Sequence, residues 1–313
     1  MDQRLHEFFD DVEPTTTSND ALLQKLAKGS EFSLGNDFFD EILMFDDLLQ
    51  QNQIEDDVYK RMVLAREIAL IEHLDSTFKF HELIECDGER EQIRQKILDE
   101  LVNHTIPKND DDIKIGFGGC KPRNRVRYNR KAIILLGLPA SGKSTVAQVM
   151  SDMQGAYIVD SDFAKRKFPE LAFPNGASWT HEESDDIAMS EFDGLFAKCL
   201  SEDANMVIPK IGSKADSIKR LYTILKGFDY DVSIGLVWLE PQKALARAIK
   251  RYQSSKRYIP ILKITEEYGS KPLEVYTQLL RELDLESHVH LSSDVEIGEP
   301  YRIDDMSINC AWW

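Results

Sequence analysis

The stretch Gly137-Leu138-Pro139-Ala140-Ser141-Gly142-Lys143-Ser144 fits the phosphate-binding loop pattern G-x-x-x-x-G-K-[ST] at every defined position. In such a loop the glycines let backbone N–H groups surround a β-phosphate, Lys143 reaches the β and γ oxygens, and the Ser144 hydroxyl ligates Mg²⁺. The preceding run, Lys131–Leu136, suits a buried parallel strand, and a helical pattern begins at Ser144. This order places a helix N-terminus against phosphate. The sequence therefore predicts a nucleotide site over residues 137–145, ending at Thr145.

Four further apolar runs follow the loop, separated by stretches with helical patterns: 157–159, 206–208, 232–238 and 288–291. Alternation of strands and helices is typical of a parallel sheet wrapped by helices. With 131–136 the runs predict about five strands. The predicted fold class is α/β, a P-loop kinase with a mostly parallel sheet flanked by helices, preceded by a small all-α helical bundle.

Composition and charge limit the possible class of protein. The chain has 313 residues, of which 42% are hydrophobic and 30% charged, as in soluble globular proteins. There is neither a secretory leader pattern nor a run of eighteen apolar residues, so we expect a cytoplasmic protein with no membrane partner. Four widely spaced cysteines form no C-x-x-C pair and are expected to be free thiols.

The net charge of −17 is unevenly distributed. Residues 1–112 contain 28 Asp and Glu against 11 Lys and Arg, whereas residues 113–313 contain 27 of each. Helical spacing of apolar residues predicts helices from about Asn36 to Leu49, from Asp56 or Asp57 onward, and from about Glu89 to Val102. We therefore predict three parts: an acidic helical domain over 1–112, a basic linker over 113–130, and the phosphate-loop domain over 131–313. An acidic neighbour can compete for a basic phosphate site, although an acidic region can also serve solubility alone.

The predicted linker contains alternating arginines at 123, 125 and 127, which an extended segment would place on one face. Such a row can contact nucleic acid, the acidic helices, or only water. The acidic balance and the lack of an aromatic-rich recognition motif disfavour nucleic acid as a partner. We expect an internal acidic partner.

Two carboxylates, Asp160 and Asp162, follow the predicted strand at 157–159. The carboxyl ends of parallel strands are where ligands bind in open α/β sheets. Phosphoryl transfer requires a carboxylate there to accept the proton of the attacking hydroxyl and to help hold Mg²⁺. We assign the role of this base to Asp162, and we expect Asp162 to hold Mg²⁺ together with Ser144. Asp160 is expected to be a helix N-cap.

A basic cluster follows the run at 232–238. Arg247 and Arg251 are four residues apart on one helix face, and Arg257 lies beyond a Ser-Ser break. Arginines so placed can stabilise the charge that develops on a transferring phosphoryl group, although a solvated basic helix has a similar pattern.

The stretch His181-Glu182-Glu183-Ser184 opens another helical pattern. Helical spacing puts Glu183 and Glu191 on one face, where carboxylates can hold substrate hydroxyls. Capping and solvent-facing acids give the same pattern, so both interpretations stay open.

In their order, these motifs resemble those of zeta toxins, the kinases of epsilon–zeta toxin–antitoxin systems. The resemblance covers roughly residues 128–290 and rests on five stretches: 137–144, Asp160-Ser-Asp162-Phe-Ala-Lys165, His181-Glu-Glu-Ser184, Met206-Val-Ile-Pro-Lys210-Ile-Gly212, and Arg251-Tyr252 followed by Arg257.

The resemblance implies an ATP- and Mg²⁺-dependent kinase for the 3′-hydroxyl of UDP-N-acetylglucosamine, which would block cell-wall synthesis. It implies that Lys143 binds the phosphates, that Asp162 is the base, and that Arg251 and Arg257 clamp the phosphoryl group. His181, Glu183, Lys210 and Glu191 are the implied substrate contacts. In many such systems a separate three-helix antitoxin covers the ATP site, so the acidic N-terminal part resembles an antitoxin fused in cis.

Two alternatives remain at this point. One is a related kinase for another hydroxyl, on an antibiotic, a nucleotide or a polynucleotide end. The other is a nucleotide-controlled interaction module without catalysis. A module that only binds nucleotide needs neither Asp162 nor the arginine cluster, which favours an enzyme.

Overall fold

The computed structural model describes residues 44, 46–51, 53–56, 58–60, 62, 63, 66, 87–172, 180–255, 259–296, 299–308, 310 and 312. The chain forms two compact units, Met1–Glu55 and Asp56–Trp313. In the first unit, residues 46–50 are helical. Most of the predicted N-terminal bundle lies outside the described residues.

A six-stranded sheet forms the centre of the second unit, in the order β2-β3-β1-β4-β5-β6. The strands are β1 (Lys131–Leu136), β2 (Tyr157–Ile158), β3 (Met206–Lys210), β4 (Asp231–Trp238), β5 (His288–Ser292) and β6 (Arg302–Met306). The first five run parallel, and β6 pairs antiparallel with β5. The predicted α/β class and all five parallel strands are confirmed.

The central position of β1 follows from its residues. Ala132–Leu136 are buried, because β3 and β4 pair with β1 on either side and helices cover both faces. Ile134 lies opposite Ile208 of β3 and Ile234 of β4. By contrast, β6 has the polar sequence RIDDM and is exposed along its whole length. An exposed edge strand has no apolar pattern, and the sequence did not predict it.

Between residues 87 and 282, eight α-helices flank the sheet in the described part of the second unit. They are α1 (Asp87–Asn103), α2 (Lys143–Gln154), α3 (Ser161–Lys165), α4 (His181–Met189), α5 (Leu195–Ser201), α6 (Ala215–Gly227), α7 (Pro241–Ser255) and α8 (Lys271–Glu282). Short helical turns occur at Asp110–Asp112, Pro169–Ala172 and Lys263–Tyr268. None of the described helices is long and apolar enough to cross a membrane.

The segment from α1 to β1 is part of the sheet unit. The predicted helix 89–102 is confirmed as α1, and its Ile97 and Leu101 are buried in the main hydrophobic core. Ile113, Cys120 and Val126 lie in the same core. The sequence predicted a helical domain ending at 112 and a linker over 113–130. The structure instead packs this stretch against the sheet, because Ile113, Cys120 and Val126 are core residues, whereas its other large apolar side chains, Ile115, Phe117 and Tyr128, are exposed.

Two arginines of this segment, Arg123 and Arg130, have acidic partners within the sheet unit. Arg123 pairs with Asp152 at the end of α2, with Nε 2.8 Å from Oδ2. Arg130 pairs with Asp203, also at 2.8 Å. Arg125 and Arg127, the members of the row between these two, are exposed. The row is therefore divided between anchoring residues and solvent-facing ones.

Candidate functional site

The phosphate loop joins β1 to α2 and has the geometry of an anion cradle. Gly137 and Gly142 have φ of 151° and 91°, where a side chain would be strained. A Cβ at Gly137 would lie 2.5 Å from the carbonyl oxygen of Val237. Gly142 is the N-cap of α2 and has no side chain to occupy the first N–H groups of the helix. These donors point where a phosphate would bind.

Lys143 and Ser144 complete the cradle. The Lys143 Nζ donates to the carbonyl oxygens of Gly137 and Leu138, each at 2.6 Å, so it already lies against the loop. Ser144 is half-buried and Thr145 is exposed at the first turn of α2. A loop held open by two glycines, with a lysine and a hydroxyl at its end, fits a nucleotide phosphate with Mg²⁺.

A cavity of about 1170 Å³ adjoins this loop and exceeds the usual volume of a small-molecule site. It brings together predicted residues from separate segments of the chain. They are Pro139, Ala140, Gly142, Lys143, Ser144, Thr145, Asp160, Asp162, His181, Lys210 and Arg251. The structure thus places the predicted base, phosphate loop and arginine around one space.

The two carboxylates of this cavity have different surroundings. The Oδ1 of Asp160 accepts the backbone N–H of Asp162 at 2.9 Å, so Asp160 is the N-cap of α3, as its sequence position predicts. Burial, and next the negative charge of Asp162, raise the pKa of Asp160 above its usual range. Asp162 is 46% exposed and its Oδ1 lies 3.2 Å from the Nζ of Lys165. Asp162 is therefore the more accessible of the two to a substrate hydroxyl.

Sequence reasoning missed several residues that line the cavity. Arg166 and Lys214 add positive charge, and the ring of Tyr301 lies beside the phosphate loop, with its hydroxyl 3.5 Å from the Gly142 oxygen. Asp110 and Asp111 reach the cavity from the turn that follows α1. Arg166 directly follows the Asp160–Lys165 motif in the sequence, so its position next to that motif could have identified it. Tyr301 is 159 residues from Gly142 in sequence, and no local pattern marks it.

Two of the predicted substrate contacts have partners elsewhere. The Oε1 of Glu183 accepts from the Nε of Arg90 on α1 at 2.8 Å and lies 3.5 Å from Arg94. Glu191 lies 3.3 Å from Arg220, near the surface. Neither acid is among the residues that line the cavity. The helical spacing was compatible with a shared face, but α4 ends at Met189, before Glu191.

The arginine cluster is partly described. Arg251 lines the cavity, and Arg247 donates from Nη2 to the carbonyl oxygen of Ser293 at 2.7 Å, which fixes the turn after β5. Arg257 lies outside the described residues, and its clamping role stays a prediction.

Comparisons with known proteins support this description of the fold. The family model for an AAA domain matches residues 133–263, less than half of the chain. A structure from a study of the PezAT chromosomal toxin–antitoxin system of Streptococcus pneumoniae aligns with a TM-score of 0.51 and 17% identity, over 72% of this chain and 82% of that one. No curated protein sequence matches the chain.

Two further structures align less closely. A complex of AvrRxo1-ORF1 and -ORF2 with ATP gives a TM-score of 0.44 and 15% identity, over 70% of this chain and 67% of that one. A gluconokinase from Sinorhizobium meliloti 1021 gives 0.32 and 15%, over 54% and 86%. The family match and the PezAT structure show that the sheet unit has a P-loop kinase-like fold, similar to that of a toxin–antitoxin protein.

Proposed function

We propose that this chain is an ATP-dependent kinase that transfers a phosphoryl group to a substrate hydroxyl. The observation that carries the proposal is that Asp162 and Arg251 line the same cavity as Lys143 and Ser144 of the phosphate loop. A protein that only binds nucleotide needs a cradle, whereas transfer also needs a proton acceptor and a stabiliser of the transition state.

Each residue has a distinct role in this reaction. Lys143 and the N–H groups at the start of α2 hold the phosphates of ATP. Asp162 accepts the proton of the acceptor hydroxyl. The oxygen of that hydroxyl forms the new bond to the γ-phosphorus while the bond from this phosphorus to ADP breaks. Arg251 stabilises the charge on the transferring group. Ser144 and Asp162 would hold Mg²⁺, which supplies charge neutralisation when bound.

The acceptor we propose is the 3′-hydroxyl of UDP-N-acetylglucosamine. This choice is supported by the resemblance of the ordered motifs to zeta toxins, and His181 and Lys210 are the cavity residues available for its recognition. The proposed consequence is a toxin that blocks cell-wall synthesis in a bacterial cytoplasm.

The test is a turnover assay with purified full chain, ATP, Mg²⁺ and a panel of acceptors: UDP-sugars, nucleosides, aminoglycosides and 5′-hydroxyl oligonucleotides. We expect ADP release and a phosphorylated UDP-N-acetylglucosamine by mass spectrometry. Lys143→Ala is the control that removes phosphate binding. Phosphorylation of another acceptor would redirect the substrate assignment, and turnover equal to that of Lys143→Ala on every acceptor would contradict the kinase proposal.

We further propose that the N-terminal part of the chain restrains the kinase in cis. Residues 1–55 contain 13 Asp and Glu against 3 Lys and Arg, a charge suited to compete with phosphate for a basic site. A tethered inhibitor acts at an effective concentration near millimolar, so a weak interaction is sufficient. We assign inhibition to residues before Asp56, since α1 and the segment after it pack in the sheet unit.

A protease site inserted between Glu55 and Asp56 tests this proposal on a chain that has already folded. Cleavage is expected to raise UDP-N-acetylglucosamine-dependent ATP turnover, and high salt is expected to raise the activity of the uncut chain. The control is the same chain with a scrambled site, treated with protease. Unchanged turnover after complete cleavage and separation of the fragment would mean that the acidic part serves docking or solubility.

A further inference from the structure

The helix α3, which carries Asp162, is too short to hold its own position. It spans five residues, Ser161–Lys165, and an isolated helix of this length is unstable in water. Asp160 caps its N-terminus, and the buried Phe163 anchors one face. The two residues that follow it, Arg166 and Lys167, are held by side chains from far earlier in the chain.

Lys167 is completely buried at the end of this helix. Its Nζ lies 2.7 Å from the Oε2 of Glu100 on α1, and it donates to the carbonyl oxygens of Gly118, Phe117 and Lys114 at 2.6, 3.2 and 3.1 Å. A buried ammonium requires both a counter-charge and hydrogen-bond acceptors. Among the described residues, Glu100 is the carboxylate that pairs with it.

Glu100 also fixes the loop that encloses Lys167. Its two carboxylate oxygens accept the backbone N–H of Gly116 at 2.9 and 3.0 Å. The side chain is 7% exposed. One carboxylate thus joins three parts of the chain: α1, the 114–118 loop and Lys167, the second residue after α3.

Arg166 is held in a parallel way. Its Nη2 lies 2.7 Å from the Oδ2 of Asp110, its Nη1 donates to the Asp110 carbonyl oxygen, and its guanidinium lies 5.1 Å from the Phe163 ring centre. Asp110 and Arg166 both line the cavity. Consecutive basic residues after α3 are therefore both anchored to the segment that follows α1.

We propose that Glu100 is a positioning residue for phosphoryl transfer: by holding Lys167, it fixes the α3 turn so that Asp162 faces the acceptor hydroxyl. The inference rests on the proposed kinase function. Glu100 does not line the cavity, so it acts through Lys167 and not on the substrate. A small displacement of a reacting group costs on the order of 10²-fold in rate, whereas the phosphate loop, on another element, keeps its affinity for ATP.

The experiment compares Glu100→Gln with Asp99→Asn in the full chain. Asp99 is the exposed neighbour on the same helix, so its amide variant makes the same chemical change without the buried pair. With ATP and UDP-N-acetylglucosamine, Glu100→Gln is expected to lower kcat about 10²-fold and to change the KM for ATP less than about twofold. Asp99→Asn is expected to match the wild type. A folded Glu100→Gln protein with wild-type kcat would overturn the proposal.

A second variant separates positioning from stability. In Glu100→Gln/Lys167→Met both buried charges are absent, and removing a whole buried pair is often tolerated by the fold. We expect a folded protein by circular dichroism whose kcat is still low. Wild-type kcat in the folded double variant would show that the pair serves stability alone. If the wild type turns over no faster than Lys143→Ala, the kinase function is wrong, and the positioning role of Glu100 falls with it. If the wild type is active and Glu100→Gln has the same kcat, only the positioning role of Glu100 is wrong.

Discussion

The phosphate loop at 137–144 and the loop at 114–119 are both glycine-rich and both contain glycines with positive φ, but their geometries suit opposite charges. In the first, Gly137 and Gly142 open the backbone so that N–H groups face the cavity. In the second, Gly116 and Gly118 turn carbonyl oxygens inward around the buried ammonium of Lys167. The first loop has the geometry of a cradle for an external anion, and the second surrounds a cation of the same chain. Composition alone does not distinguish them.

The largest expected effect separates phosphate binding from chemistry. Asp162→Ala leaves the phosphate loop intact and removes the proton acceptor, so kcat should fall by about 10²–10⁴-fold. Steady-state kinetics with ATP and UDP-N-acetylglucosamine measure this, with circular dichroism to confirm the fold. Near wild-type turnover would move the base elsewhere, and Asp160, whose pKa is raised by burial, is the first candidate.

Arg251 is expected to act on the transition state more than on ATP affinity. Arg251→Ala should lower kcat by about 10²-fold with a smaller rise in the KM for ATP. Arg251→Lys should rescue it poorly, because an ammonium lacks the planar fork of a guanidinium. If both variants keep wild-type kcat, the α7 cluster is a solvated basic face, and the phosphate loop alone neutralises the transferred group.

Gly119 tests whether the second loop is a flexible linker or a packed element. A Cβ there would lie 2.3 Å from the carbonyl oxygen of Glu100 and 2.4 Å from that of His104. Gly119→Ala should therefore cost about 1–3 kcal/mol in the free energy of unfolding. The matched control is Gly227→Ala at the end of α6, where nothing lies within 4 Å and no loss is expected. Equal urea midpoints for wild type and Gly119→Ala would contradict the packed arrangement.

The smallest expected effect lies at His290 on β5, beside the edge strand β6 and far from either loop in sequence. Burial lowers the pKa of His290 below its usual 6.5, although Asp304 and Asp305 partly oppose this. His290 therefore binds a proton more tightly in the unfolded chain than in the folded protein. The neutral, half-buried His290 contributes to the free energy of unfolding above about pH 6.5, and this contribution is lost as pH falls through the lowered pKa. Screening at this partly exposed site keeps it below about 1 kcal/mol. Thermal melts at pH 7.5 and 5.5 should show a smaller pH dependence for His290→Gln. An identical dependence would assign it to other groups.

Several features were predictable from the sequence because they are local or follow from a general rule. The phosphate loop has a fixed spacing, the buried strands are short apolar runs, and the position of Asp160 and Asp162 follows from the shared carboxyl edge of parallel strands. The N-cap at Asp160 is also a local pattern, and the structure confirms it. None of these required knowledge of which distant segments meet.

Other features depended on contacts between residues far apart in the chain. Glu183 has the spacing of a cavity residue, but it pairs with Arg90, 93 positions earlier. The stretch 113–130 has the glycines and charges of a linker, but its Ile113, Cys120 and Val126 are core residues. The exposed β6 carries no apolar pattern because it is an edge strand.

The sequence by itself determined a nucleotide cradle on a parallel α/β sheet with a carboxylate at the strand edge, because backbone geometry fixes the spacing of those residues. The tertiary structure decided which charges meet. Glu100 and Lys167 are 67 positions apart, and in the sequence each has the pattern of an ordinary charged surface residue. Their pairing follows from the packing of α1 against the sheet, because burial removes water from Lys167 and leaves Glu100 and three backbone carbonyls as its partners.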